Sequence, residues 1–399
     1  MNLTYQKEGR NCPVCRSEES QLLFRTRFSK ISDNYLLDSY DVVACKTCGF
    51  CFADQIPNQG VFDKYYKNMS KYEESKSLSM DSQYDVKRFN QIVEFINSNI
   101  KDKNSRIVEI GCATGLLLSL LKKKGFNNLL GIDPSPSCVE TIRNMYGIPS
   151  LLGTITDLSS IKAESVDLVI LVGVLEHIRD LNLALVEIRN VLRSDGKICI
   201  VVPDASQYLN GNDAPFQEFS VEHINYFGPG SLINLMISQN FSKVVIDQQV
   251  FEVNFNTFTP VILNLFKKSK EKEKQFKYDM GTVTNFKEYI INCYEREKSI
   301  HDKIEKINID KKPLIIWGTG AQTLRLLANS DLSKANIIAF VDSNPKYHGK
   351  KLNDISIISP EELKNMKETI LISTRAYQNE IEDQIRQVLK LKNTIIKLY

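Results

Sequence analysis

The stretch from Arg106 to Asp133, RIVEIGCATGLLLSLLKKKGFNNLLGID, constrains this chain's fold more than any other. Ile107, Val108 and Ile110 form a short apolar run that reads as a buried strand. Gly111, Cys112, Ala113, Thr114 and Gly115 follow, small residues that let backbone turn sharply and approach a ligand closely. Leu116 to Lys124 are good helix formers throughout, and Leu129 to Ile132 reads as a second strand closed by Asp133. Strand, glycine loop, helix, strand and acid together open a doubly wound sheet, with a nucleotide-type pocket at the strand ends.

The first glycines stand in E-x-G-x-x-x-G, from Glu109 through Gly111 to Gly115, rather than in G-x-G-x-x-G. That spacing suits a loop curling round a compact charged ligand better than a pyrophosphate cradle. On these residues the chain resembles class I S-adenosylmethionine-dependent methyltransferases over roughly residues 95–241. The resemblance implies that Glu109, Gly111, Cys112 and Gly115 line the amino acid end of the cofactor. It also implies that Asp133, followed by Pro134, holds the two ribose hydroxyls, for which paired carboxylate oxygens suit a vicinal diol. Thr154 would lie against the adenine, and Val172 and Gly173 would close the pocket at the next strand end. For the glycine motif alone a tight strand–helix turn is the alternative, and Thr154 reads equally as a turn residue.

Composition excludes several classes. Hydrophobic residues make up 42% and charged residues 25%, ordinary for a globular protein large enough for two or three domains. A net charge of +3 with interspersed signs leaves no footprint for nucleic acid. No apolar run reaches a membrane span, and the N-terminus MNLTYQKEGRNC lacks a signal-peptide core, so a cytoplasmic protein is expected. Nine cysteines in that setting read as thiols or metal ligands.

Cys12-Pro-Val-Cys15 and Cys45-Lys-Thr-Cys48 are two C-x-x-C pairs separated by 29 residues. Two such turns complete a tetrahedron around zinc, a closed structural site with no open position for chemistry. Unrelated buried cysteines or a redox dithiol are the alternatives, and Cys51 reads as a spare buried thiol. Tyr65, Tyr66, Tyr72 and Tyr84 form an aromatic stripe that reads mostly as packing. Tyr72 stands apart in the polar KYEESKS. Residues 81–99 read as an amphipathic helix.

Downstream, SPSCVETIRNMYG reads as a helix capped by Ser135 or Ser137, Leu151-Leu152 as a third strand, and residues 165–174 as a buried strand running into LEHIRD. Asp195-Gly196-Lys197 reads as a tight turn before a strand over 198–202. His177 in LEHI is either a satisfied structural histidine or a residue at the mouth of the reaction site. Glu222-His223, followed by aromatics and a Gly-Pro turn, falls where such a fold carries its substrate-facing loop. A histidine near neutral pKa is a natural base, although a buried pair that merely fixes the loop is the alternative.

Lys267 to Lys277 is a charge run, and residues 286–307 have the period of a connecting helix. A second α/β unit then begins with PLIIWGTG, and Gly318-Thr-Gly320 with Asp342 echoes a dinucleotide fingerprint whose third glycine is replaced by Thr323. A diphosphate or nucleotide-sugar surface and a ligand-free scaffold both remain open there.

The expected fold class is α/β: a class I methyltransferase Rossmann-like core with an N-terminal zinc-binding module and a C-terminal second Rossmann-like domain. Expected boundaries are 1–75, 76–250, a helical linker over 251–311, and 312–399. That order resembles the sugar C-methyltransferases acting on nucleotide-linked deoxy-keto sugars. The resemblance implies S-adenosylmethionine and structural zinc as cofactors, a small-molecule partner, His223 as base oriented by Glu222, and His177 and Tyr72 gripping substrate oxygens. Ser220 departs from that family, which carries a tyrosine there, so O-methylation of a sugar or other metabolite is the nearest competitor. A non-catalytic scaffold is the competitor from a different class.

Overall fold

The computed structural model describes residues 7–32, 36–69, 82–270 and 276–399. Strand Ile107–Ile110 is buried along its whole length. Such a strand must be covered on both faces, which is the position of a central strand in a parallel sheet. It pairs in parallel with Leu129–Asp133 on one side and Val166–Val172 on the other. The full seven-stranded order is 241–254, 257–268, 192–203, 166–172, 107–110, 129–133 and 150–152. Only Thr257–Lys268 runs against the rest, since it is antiparallel to both of its neighbours. This is the α/β fold of class I methyltransferases.

Local chemistry sets the helices. Leu116–Lys123 buries six consecutive residues, with Leu118 and Leu121 wholly inaccessible. Burial of each leucine side chain contributes about 2 kcal/mol. Pro136–Tyr146 starts where Ser135 Oγ accepts from the Cys138 N–H at 3.4 Å, and it ends on left-handed Gly147. Gln83–Asn99 is capped by Ser82 and buries Ile92, Val93 and Ile96.

Three readings change. Asp195-Gly196-Lys197 turns within a strand rather than before one: Leu192–Pro203 is continuous, its pairing with Val166–Val172 passes from Leu192 to Lys197, and a Cβ on Gly196 would stand 3.1 Å from Arg193 N and O. The expected core boundary at residue 250 falls inside strand Phe241–Asn254, and the sheet continues to Lys268. Residues 251–311 therefore supply a core strand before the 31-residue helix Met280–Asp310 begins. The module expected to end at residue 75 also borrows from the core, because its antiparallel sheet (20–27, 39–45, 51–54) is completed by Asn225–Tyr226.

The third unit is a six-stranded sheet in the order 351–352, 355–358, 337–341, 314–317, 369–372 and 395–397, parallel except at Lys351–Leu352. Arg325 and Glu297 form a buried ion pair between helix Ala321–Asn329 and the long helix, and the guanidinium lies 4.7 Å from the Phe216 ring. Among the described residues, no helix is long and apolar enough to cross a membrane.

Candidate functional site

Two clefts meet at the carboxyl ends of the central strands. The first has about 970 Å³ of empty space and is lined by Gly111, Asp133, Pro134, Thr154, Gly173 and His177, among others. The second shares Gly111, Gly173 and His177 and adds Glu109, Cys112, Val172 and His223. Gly111 is at φ +71, and a Cβ there would stand 2.7 Å from Val174 Cγ2, inside the wall between the clefts. The turn beyond it is tied to the next strand: Asp133 Oδ2 accepts from the Ala113 N–H at 2.8 Å, and its Oδ1 accepts from the Ser135 N–H at 2.9 Å. Glu109 is 3% exposed, and its Oε2 has no partner among the described residues. Burial, reinforced by the Asp133 charge, pushes its carboxyl well above the ordinary value. A cation brought against this carboxyl would favour its ionised form and oppose that shift.

Across the shared wall, the His177 and His223 rings lie 5.0 Å apart, edge to face. His177 Nδ1 is 3.1 Å from Glu222 O and 3.0 Å from the Tyr66 hydroxyl. A carbonyl only accepts, so Nδ1 carries the hydrogen and Nε2 keeps its lone pair. Nε2 is 4.0 Å from Glu176 Oε1, and Glu176 is 4% exposed. Ligand atoms of Glu176, His177 and His223 all lie within 4.8 Å of one another. The Tyr65 hydroxyl donates to Glu222 Oε1 at 3.0 Å. Burial, and then the Glu222 charge, raises the Tyr65 and Tyr66 phenols well above their ordinary values, so both stay protonated donors.

The four paired cysteines converge. Cys12, Cys15, Cys45 and Cys48 bring their sulfurs within 4.8 Å of one another, with Cys12–Cys48 at 3.6 Å and Cys15–Cys45 at 3.4 Å. A zinc tetrahedron with bonds of about 2.3 Å has sulfur–sulfur edges of about 3.8 Å, so the cluster fits that ion.

Of the residues expected at the cofactor, Glu109, Gly111, Cys112, Asp133, Pro134, Thr154, Val172 and Gly173 line the two clefts. Gly115 stands behind them, at φ +83, where a Cβ would meet Ile142 at 2.7 Å. His177 and His223 come together, and Tyr72 lies outside the described residues. Glu222 differs from expectation: its carboxylate faces Tyr65, and the acid beside both imidazoles is Glu176. Tyr65 and Tyr66 read as packing in the sequence yet contact Glu222 and His177. Glu176 immediately precedes His177, and that adjacency was the available signal.

A family model described as a methyltransferase domain matches residues 83–245. A second, described as C2185-like, N-terminal, matches residues 311–396. No curated protein matches the chain. Among solved structures, the chain is similar to a 1,6-didemethyltoxoflavin-N1-methyltransferase from Burkholderia thailandensis, with 12% identity and a TM-score of 0.41 over 58% of this chain and 96% of that one. It is similar also to a possible histamine N-methyltransferase from Thermotoga maritima, with 20% identity and a TM-score of 0.39 over 53% and 100%. A third is an S-adenosylmethionine-dependent methyltransferase from Mesorhizobium loti, with 14% identity and a TM-score of 0.38 over 45% and 100%.

Proposed function

We propose that this class I S-adenosylmethionine-dependent methyltransferase methylates a carbon beside a ketone on a nucleotide-linked sugar. The observation that carries the reading is the imidazole pair 5.0 Å apart on the wall between the two clefts. The cofactor, when bound, supplies an already activated methyl group, and the residues present fit it. Glu109 offers a buried carboxyl suited to its ammonium, and Asp133 lines the pocket as a partner for ribose hydroxyls. Gly111, at φ +71, lets the loop backbone pass Val174 at a distance that a Cβ would not allow.

The chain's own residues then have three tasks. His223 takes the proton from the carbon next to the ketone, and that carbon's electron pair accepts the methyl. His177, fixed by Glu222 O and Tyr66, keeps a lone pair on Nε2 that can accept from a hydroxyl on the acceptor. Glu176, close to both rings, stabilises positive charge when an imidazole gains a proton. In this reading Glu222 is a partner of Tyr65 rather than the group that orients His223. Tyr347, in the 3₁₀ turn Pro345–Tyr347 after strand Ile337–Val341 of the C-terminal sheet, is near enough to Tyr65 to raise its phenol further. An acceptor extending outward from the imidazoles therefore meets loops at the carboxyl ends of that sheet, where doubly wound folds take nucleotides. We assign zinc to the cysteine cluster as a structural ion.

The test is solvent exchange. Incubation of candidate keto sugar nucleotides in heavy water should wash deuterium into the carbon, and His223→Asn should abolish this while S-adenosylhomocysteine binding survives. Turnover without exchange in the wild-type protein would favour O-methylation. Turnover surviving in His223→Asn would remove His223 as the base.

A further inference from the structure

Outside the clefts, one buried hub joins both imidazole-bearing loops to the cysteine module. Arg10, two residues before Cys12, is 9% exposed. Its Nη1 donates to Ala53 O and Ile224 O, both at 3.2 Å. Its Nη2 donates to Arg179 O at 2.8 Å and to Asn225 Oδ1 at 3.1 Å. Asn225 Nδ2 passes the link on, donating to Leu175 O at 2.8 Å and Ile178 O at 2.7 Å. Those last two carbonyls bracket Glu176 and His177, while Ile224 directly follows His223. The loops also touch directly, since the Ile224 N–H donates to Glu176 O at 2.8 Å. Arg10 is itself fixed in the N-terminal module: its backbone N–H donates to Asp54 Oδ1 at 2.6 Å, and its guanidinium lies 5.6 Å from the Phe52 ring centre.

We propose that Arg10 is a positioning residue for the acceptor site: through Asn225 it sets the spacing of His177 and His223, and so couples that spacing to the cysteine-bearing module. This rests on the reading above that the two imidazoles face the acceptor. The physical basis is the planar fork. A guanidinium reaches carbonyls on several segments at fixed angles, whereas an ammonium donates from one point. Misplacement of reacting groups by about 1 Å costs on the order of a hundredfold in rate, so a device that fixes their separation has catalytic consequence.

The chain has four histidines, so their ring C2–H resonances can be followed one by one, with His177→Asn and His223→Asn giving the assignments. In Arg10→Lys the His177 and His223 resonances should move or split, while those of His301 and His348 stay. Bound metal and S-adenosylhomocysteine affinity should match the wild-type protein. Asn225→Asp keeps an acceptor for Arg10 but loses both donations to the His177 loop. It should move the His177 resonance, and it decides the matter if Arg10→Lys does not fold. Folded Arg10→Lys with four unmoved resonances overturns the proposal, as does folded Asn225→Asp with His177 unmoved. A His223→Asn variant that still turns over would sink the base assignment yet leave this resonance test intact.

Discussion

Gly111→Ala tests the cofactor cradle most directly, because its cost can be worked from two separate sources. The backbone is at φ +71, where a residue with a Cβ costs about 1–2 kcal/mol. The new methyl would also stand 2.7 Å from Val174 Cγ2, against about 3.5–4 Å for a normal carbon contact. Overpacking of that kind costs about 1–3 kcal/mol. The loop has no slack to absorb it, since the Gly111 N–H donates to Ile132 O at 2.8 Å. The sum is about 2–5 kcal/mol, equivalent to about 30-fold to a few thousandfold in an equilibrium constant, divided between stability and cofactor binding. A cycle with Val174→Ala separates the sources. The truncation removes the clash but not the dihedral cost, so the double variant should recover about half the loss, with a coupling of about 1–2 kcal/mol. Scanning calorimetry gives the stability part, and titration with S-adenosylhomocysteine gives the binding part. Wild-type melting and affinity in Gly111→Ala would refute the reasoning; full recovery in the double variant would refute the backbone share.

Glu109→Gln should separate stability from binding. The folded carboxyl is raised above its unfolded value, so its contribution to stability is full in acid and is lost as pH rises through the raised value. The amide should therefore melt higher than wild type at neutral pH while weakening S-adenosylhomocysteine binding about tenfold or more; unchanged affinity would dismiss Glu109 as the ammonium's partner. Glu218 follows the same sign: burial, then Asp213, pushes it up to about 8 from 4.5. Its ionisation costs stability between those limits, at most about 5 kcal/mol and roughly half that because the side chain is not fully sealed. Glu218→Gln should thus melt higher than wild type above pH 8 and equally near pH 4, and parallel melting curves across that window would count against it. Cys45→Ser should lose about one zinc per chain by emission spectrometry, and metal retained by the variant would rule out the four-sulfur site.

What the sequence disclosed follows from how far apart the partners lie. The cradle was legible because strand, loop, helix and acid sit within one short stretch, and capping by Ser135 is decided within one helical turn. The acceptor side was not. Tyr66 reaches His177 across 111 positions, Tyr65 reaches Glu222 across 157, and Arg10 reaches Asn225 across 215. No periodicity carries such pairings. Adjacency in the sequence did not disclose where Glu222 lies, since consecutive side chains outside a helix diverge, and here one turns to Tyr65 while the other turns to His177. The sheet's extension past residue 250 was missed because the middle of strand Thr257–Lys268, from Val261 to Phe266, is apolar except for Asn264 and lacks the alternation that marks a half-exposed strand.

The acceptor loop also explains why the N-terminal module and the core cannot be treated as separate units. Residues 204–227 contain only a short 3₁₀ turn and the two-residue strand Asn225–Tyr226, so regular hydrogen bonding cannot hold the loop rigid. Aromatic packing does. Phe219 is 1% exposed, its ring lies 5.4 Å from Phe286 and 5.7 Å from Tyr289 on the long helix, and it stacks on Phe24 at 5.1 Å. From the N-terminal sheet the Tyr40 hydroxyl donates to Ser220 O at 2.8 Å, while Tyr226 donates to His223 O at 3.0 Å. Ser220 Oγ accepts from the Glu222 and His223 N–H groups at 3.2 and 3.1 Å. The hydroxyl at this departure from the sugar-methylating pattern is thus spent on the loop's own backbone. A bulky phenol there would have to give up those two bonds, so in the proposed reading the acceptor's grip is assigned to Tyr65, Tyr66 and the imidazoles rather than to residue 220.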